Sequence, residues 1–134
     1  MALTAHSAHD NAPEDLGAPA LRTFFNIAER WELGAEQQMT LLGIASPSTY
    51  YKWRKQQPAR ISPDLLERLS YLLGIYKDLQ ILLPDRALAD SWLHRPNSNL
   101  LFGGEAPLSR MLSGHVADLY VVRRYLDAER GGWQ

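Results

Sequence analysis

The residues whose types and spacing could do chemistry lie in one tract, Ser46-Pro47-Ser48-Thr49-Tyr50-Tyr51-Lys52-Trp53-Arg54-Lys55, with Arg60 just beyond it. Serine and threonine at a helix start can hydrogen-bond phosphate oxygens. The exposed N–H groups and the helix dipole add attraction for the same anions. Lys52, Arg54, Lys55 and Arg60 would neutralise phosphates, and any of Ser48, Thr49, Tyr51 and Lys52 could reach a base edge. Tyr50 and Trp53, three apart, are assigned to packing against the first helix and Leu41 or Leu42. The candidate DNA-contacting set is therefore Ser46, Ser48, Thr49, Tyr51, Lys52, Arg54, Lys55 and Arg60. A helical hairpin with a merely solvated basic face would show the same residues. Motif, capping and local charge concur on DNA.

The charge distribution supports that choice. The 134-residue chain has a formal net charge of −1, which argues against a basic nucleic-acid coat. The average hides a partition: residues 1–36 carry a net −4, residues 37–63 a net +4 with no acid at all, and residues 64–134 a net −1. A basic stretch inside a near-neutral chain is an electrostatic footprint.

Other chemistries find little support. The chain has no cysteine, which excludes a disulfide framework, a thiol nucleophile and a thiolate metal site, and fits a reducing, cytoplasmic setting. His6, His9 and Asp10 could be drawn as a metal site. They fall in a small, polar stretch without periodicity, read as a mobile tail over residues 1–18, whereas a metal site needs preorganised ligands. No Ser/His/Asp set, carboxylate pair or phosphate-cradling glycine loop appears, and Gly103-Gly104 has no preceding strand. The expectation is a non-enzyme without metal or cofactor. No apolar run is long enough to span a membrane.

Helices must position the basic tract. Leu21, Phe24, Phe25, Ala28 and Trp31 form an amphipathic stripe from about Ala20. A second helix runs from Ala35 to Leu42, burying Met39 and Leu42, and Gly43 ends it. Ser46 caps the next helix with Pro47 at its first position, and Pro58 stops it. Ser62-Pro63 repeats the start signal for a helix with Gly74 as its expected C-terminal stop. Separate helices are expected over 75–83, 85–94 and 107–112, and from His115 onward. Nothing alternates with period two, so the fold class is all-α: a helix-turn-helix followed by a small helical unit. The expected division is a tail over 1–18, a DNA-binding region over 19–84 and a second region over 85–134.

Several separated motifs resemble one family. These are Arg68-Leu69-Ser70-Tyr71-Leu72-Leu73-Gly74-Ile75-Tyr76-Lys77, Trp92-Leu93 with Pro96-Asn97, and Phe102-Gly103-Gly104-Glu105-Ala106-Pro107-Leu108. Met111-Leu112-Ser113-Gly114, Val121-Val122-Arg123-Arg124-Tyr125-Leu126-Asp127 and Arg130-Gly131-Gly132-Trp133 follow. Together they resemble the Xre/MbcA/ParS family of antitoxins over about residues 20–134. The resemblance implies a type II antitoxin whose partner is a toxin with a RES domain, or the related ParT form, acting on NAD. It implies that the antitoxin blocks substrate access to the toxin, dimerises, forms a higher-order complex with the toxin and represses its own operon through operator DNA.

Arginine and tryptophan are enriched at interface hot spots. Arg123, Arg124, Tyr125, Arg130, Gly131, Gly132 and Trp133 are therefore the candidate toxin-binding residues. For Arg123, a salt bridge to Asp118 or Asp127 is an equal alternative, and Tyr125 and Trp92 also suit a core. Two other functions stay open: an orphan helix-turn-helix regulator without a toxin, and an interaction module that no longer binds DNA.

Overall fold

The computed structural model describes residues 3–131, with side chains from Leu16 onward. His6, His9, Asp10, Gly132 and Trp133 thus lie outside the described side chains. Seven α-helices and one 3-10 turn follow one another, with no strand among the described residues: α1 (Leu3–Arg30), α2 (Ala35–Leu42), α3 (Pro47–Lys55), α4 (Pro63–Leu82), α5 (Arg86–Ser91), the 3-10 turn (Trp92–His94), α6 (Pro107–Met111) and α7 (Val116–Glu129).

The helix ends follow their local chemistry. Ser46 Oγ accepts from Thr49 N–H at 3.4 Å and Ser62 Oγ from Leu65 N–H at 3.1 Å, each with proline in the first turn. Asp85 caps α5 by accepting from the N–H groups of Ala87 and Leu88. Gly43 closes α2 in the left-handed region at φ 72°, and Ile44 N–H donates to Met39 O. That pairing is a Schellman-type stop, and it needs a residue tolerant of positive φ.

A single apolar cluster runs through the molecule, from Leu21, Phe24, Ala28 and Trp31 through Leu41, Leu42 and Tyr50 to Leu119, Val122 and Leu126. Each large side chain buried in it contributes about 1.5–3 kcal/mol. In α2, Leu41 is more deeply buried than Met39, which lies only partly covered at the rim of the core. The first helix packs earlier than Ala20: a Cβ at Gly17 would stand 2.7 Å from Ile61 Cγ1, so the absent side chain lets α1 lie against that residue.

The main departure from expectation is at Gly74. The chain does not stop there. α4 continues unbroken for 20 residues, burying Leu65, Leu69, Leu72, Ile75 and Leu79 along one face. It packs most extensively on α7 and on α1. Gly74 serves another purpose: the Arg123 guanidinium from α7 occupies the space that its Cβ would fill. Arg123 there donates to Ser70 O at 3.1 Å and pairs with Asp127 at 3.2 Å. A helix interior tolerates glycine at a cost of about 1 kcal/mol, and here the missing side chain lets two helices approach through an arginine.

Candidate functional site

The turn between α2 and α3 is held from inside. Tyr50 is fully buried, and its hydroxyl donates to Gln38 Oε1 at 2.7 Å. Gln38, also buried, donates from Nε2 to Leu33 O at 2.9 Å. The Tyr50 ring meets Phe25 of α1 edge-on, with centroids 6.0 Å apart. One polar chain thereby ties α3 to α2 and to the loop that follows α1. Sequence reasoning assigned Tyr50 to packing correctly and missed Gln38, whose only signal was a polar residue beside the apolar positions of a short helix.

With Tyr50 turned inward and Trp53 partly covered, the opposite side of α3 faces outward. Ser48, Tyr51, Lys52 and Lys55 are exposed at a spacing of three to four residues, which lines them along one side of the helix. Lys52 and Lys55 make no ion pair among the described residues. Ser46 and Ser48 share a hydrogen bond of 2.9 Å at the helix start, so part of their capacity is spent locally. Thr49 is half-buried. Arg54 folds back: its guanidinium lies 5.9 Å from the Phe25 ring centre and 6.0 Å from that of Tyr50, and it donates to Tyr50 Oη at 3.4 Å. Arg60 is exposed on the loop beyond α3. An open cleft of ≈ 510 Å³ separates the end of α3 from residues 56–59, with Lys52, Trp53 and Lys55 among its walls.

Arg68, only 11% exposed, links this unit to the rest of the chain. It pairs with Asp64 at 3.0 Å, reaches the C-terminal carbonyls of α2 at 3.4–3.5 Å, and donates to Gly114 O at 3.1 Å. A cation at a helix C-terminus is favoured by the dipole. Nε2 of His94 lies 2.6 Å from Trp31 O, just beyond the end of α1.

The C-terminal candidates are placed unequally. Arg123 is folded onto α4, as described, with Asp127 as its acid. Asp118 belongs instead to Arg110, at 2.8 Å. Tyr125 stacks on Trp92 at 6.4 Å and meets Phe102 edge-on at 5.7 Å, so its ring is part of an aromatic group. Arg124 is exposed and donates to Tyr120 Oη at 2.9 Å. Arg130 donates to Asp78 Oδ1 at 2.7 Å, and Gly131 turns the chain at φ 79°.

Two carboxyls here deviate from ordinary behaviour. Burial, together with a hydrogen bond to Asp127, pushes the Asp78 carboxyl above its usual range despite Arg130. Burial also works against Asp127, but its hydrogen bonds to Asp78 and Arg123 and the charges of Arg123 and Arg130 hold it below that range.

Among the described residues, no helix is long and apolar enough to cross a membrane. Residues 10–74 match the antitoxin Xre-like helix-turn-helix domain, and residues 78–132 match the antitoxin Xre/MbcA/ParS C-terminal toxin-binding domain. The chain is also 47% identical over 112 residues to the uncharacterized protein y4oB of Sinorhizobium fredii (strain NBRC 101917 / NGR234), covering 84% of each chain. The two domain matches meet within the continuous helix α4, and the surfaces described above fall one in each. The chain belongs to the Xre/MbcA/ParS family of type II antitoxins, non-enzymatic proteins that join a helix-turn-helix DNA-binding domain to a toxin-binding domain.

Proposed function

We propose that this antitoxin neutralises a RES-domain toxin by covering the mouth of its NAD site, and that as a homodimer it represses its own operon. The observation that carries this reading is the pairing, in one chain, of an Xre-like match over 10–74 with a toxin-binding match over 78–132. The proposed DNA surface is the stripe of Ser48, Tyr51, Lys52 and Lys55. Ser46 and Thr49 lie at the helix start, and Arg54 and Arg60 flank the stripe. Residues 19–84 form the DNA-binding region and residues 85–134 the toxin-binding and dimerisation region, both drawing on α4.

On the toxin side, Arg124 and the segment Gly131, Gly132 and Trp133 make the contact. Arg123, Tyr125 and Arg130, whose side chains are engaged with Asp127, Trp92 and Asp78, support it from behind. Arginine beside an aromatic platform is a composition suited to an interface hot spot.

The test is co-expression with the RES-type protein encoded beside this gene. That protein should arrest growth alone and be harmless with the antitoxin, and the two should copurify as a complex of defined mass. A neighbour that stays toxic in the presence of this chain, or the absence of any RES-type neighbour, would leave the orphan-regulator reading in place.

A further inference from the structure

The connection between the 3-10 turn and α6 carries two adjacent leucines on the surface. Leu100 is 96% exposed, more than any other large apolar side chain among the described residues, and Leu101 is 37% exposed. A single exposed leucine needs no special reason. What needs one is how firmly this leucine is held in water.

The loop is braced from within and from without. Asn97 N–H donates to Glu105 O at 3.0 Å and closes it. Asn97 Oδ1 accepts from Asn99 N–H, and Asn99 Oδ1 from Leu101 N–H, each at 2.9 Å. Such asparagine bonds fix local turns. Phe102 N–H donates to Asn99 O at 2.9 Å. From α6, Arg110 Nη1 donates to Leu101 O at 2.8 Å, while its Nε pairs with Asp118 of α7. The nearly buried Phe102 ring meets Trp92 edge-on at 5.8 Å and Tyr125 at 5.7 Å. Leu100 thus stands between a capped Asn99 and a Leu101 whose N–H and carbonyl are both bonded.

We propose that Leu100 is a preformed apolar anchor for the toxin, entering a pocket of apolar side chains on that partner with Leu101 at its edge. The loop and all its braces, from Trp92 to Tyr125, lie within residues 78–132, which match the toxin-binding domain. Around the two leucines, Ser98, Gly103, Gly104 and Glu105 are exposed and offer no large apolar side chain. A small apolar centre in a polar rim fits a separable partner, whereas homodimer interfaces are more apolar throughout. Holding the anchor in place beforehand lowers the ordering cost of binding. The inference rests on the reading that the partner is the RES-type protein encoded beside this gene, and it makes no use of the chain beyond α7.

The test uses the full chain and that RES-type protein, with the dissociation constant as readout. Leu100→Ala should lower affinity about tenfold and Leu100→Asp about a hundredfold. Leu100→Met, which keeps an apolar side chain of similar volume, should retain most of it. All three should melt with the parent and bind operator DNA as the parent does, because the side chain packs on nothing. If Leu100→Asp does not fold, Leu100→Ala decides alone.

A second substitution tests the bracing. Asn99→Ala frees the Leu101 N–H and should weaken binding severalfold in the parent, yet add nothing in the Leu100→Asp background. Equal losses in both backgrounds would overturn the claim that the loop presents Leu100. Parental toxin affinity for the Leu100 variants, while the parent itself binds, defeats the anchor alone. A free Leu100→Asp chain of lower molecular mass than the free parent would assign the leucine to a second copy and overturn the toxin as its occupant. If the parent does not bind the RES-type protein at all, the reading of the partner fails, and the anchor fails with it.

Discussion

The cationic groups of the helix-turn-helix and those of the C-terminal unit are used in opposite ways. On α3, Lys52 and Lys55 extend outward without an acid to meet them, and no acid lies anywhere in residues 37–63. From α6 onward, Arg110, Arg123 and Arg130 each have a carboxylate at 2.7–3.2 Å, and Arg124 lies against Tyr120. On α3 the two lysines have no acid partner among the described residues while Arg54 is folded onto Phe25 and Tyr50, and the second region spends most of its charge on its own shape. A polyanion is met by unpaired cations, which displace the counterions condensed on it. A protein surface is met by a fixed shape, and paired arginines fix shape.

The comparison can be broken most directly on α3. Lys52→Ala/Lys55→Ala should leave the melting temperature unchanged and lower operator affinity on the order of a hundredfold at moderate salt. If a dimer makes about six phosphate contacts, log K against log salt should slope near −5 for the parent and near −2 for the variant. A flat salt response in the parent, or unaltered binding by the variant, contradicts the assignment of α3 to DNA.

Arg68→Ala probes the opposite use of an arginine. It removes charge-assisted bonds to the end of α2, to Asp64 and to Gly114 from a nearly buried position. Chemical denaturation should show a loss of about 2 kcal/mol. DNA affinity should change far less than in the variant that removes Lys52 and Lys55 from α3. A variant as stable as the parent would mean that these bonds add nothing to the fold.

Gly74 sharpens the comparison on a smaller scale. Ala is better than Gly in a helix by about 1 kcal/mol, but Gly74→Ala in the parent displaces Arg123, so the gain should be cancelled. In an Arg123→Ala background the same substitution should stabilise by about 1 kcal/mol. Identical effects in the two backgrounds would show that glycine and arginine are not coupled.

The smallest effect is expected at Asp118. Hydrogen bonds from Ser113 and Arg110 hold its carboxyl below the usual carboxylate range. Its lowered value means that its contribution is present above the ordinary carboxylate pKa and fades as pH falls through the lowered one. Asp118→Asn should therefore cost less than about 1 kcal/mol at neutral pH. Thermal melts of parent and variant should converge in acid, and a gap that widens on acidification would contradict the assigned direction.

Much of the architecture was legible because it is written in neighbouring residues. Ser46-Pro47 and Ser62-Pro63 announce two helix starts, Gly43 announces a stop, and the stripe from Leu21 to Trp31 announces a buried face. The acid-free tract from 37 to 63 pointed to DNA even though the whole-chain charge did not. The candidate toxin contacts were less legible. Arg123, Tyr125 and Arg130 have the right types for an interface, but the structure engages each with a group far along the chain. Gln38, Arg68 and Asp78 were passed over because their partners, Tyr50, Gly114 and Arg130, stand 12, 46 and 52 residues away.

Sequence alone therefore determined the helical class, most helix boundaries, the location of the basic face and, through its separated motifs, the antitoxin family. Those signals rest on caps, proline and glycine punctuation and periodicity, all of which act within a turn or two of helix. Only the tertiary structure decided that α4 runs through Gly74, and which arginines remain for partners. The reason is physical: a glycine ends a helix or opens room for a neighbour with the same local signature. Arg130 finds its acid, Asp78, 52 residues away by proximity in space, which spacing in the chain does not reveal, whereas the i,i+4 pair of Arg123 and Asp127 was within reach of spacing.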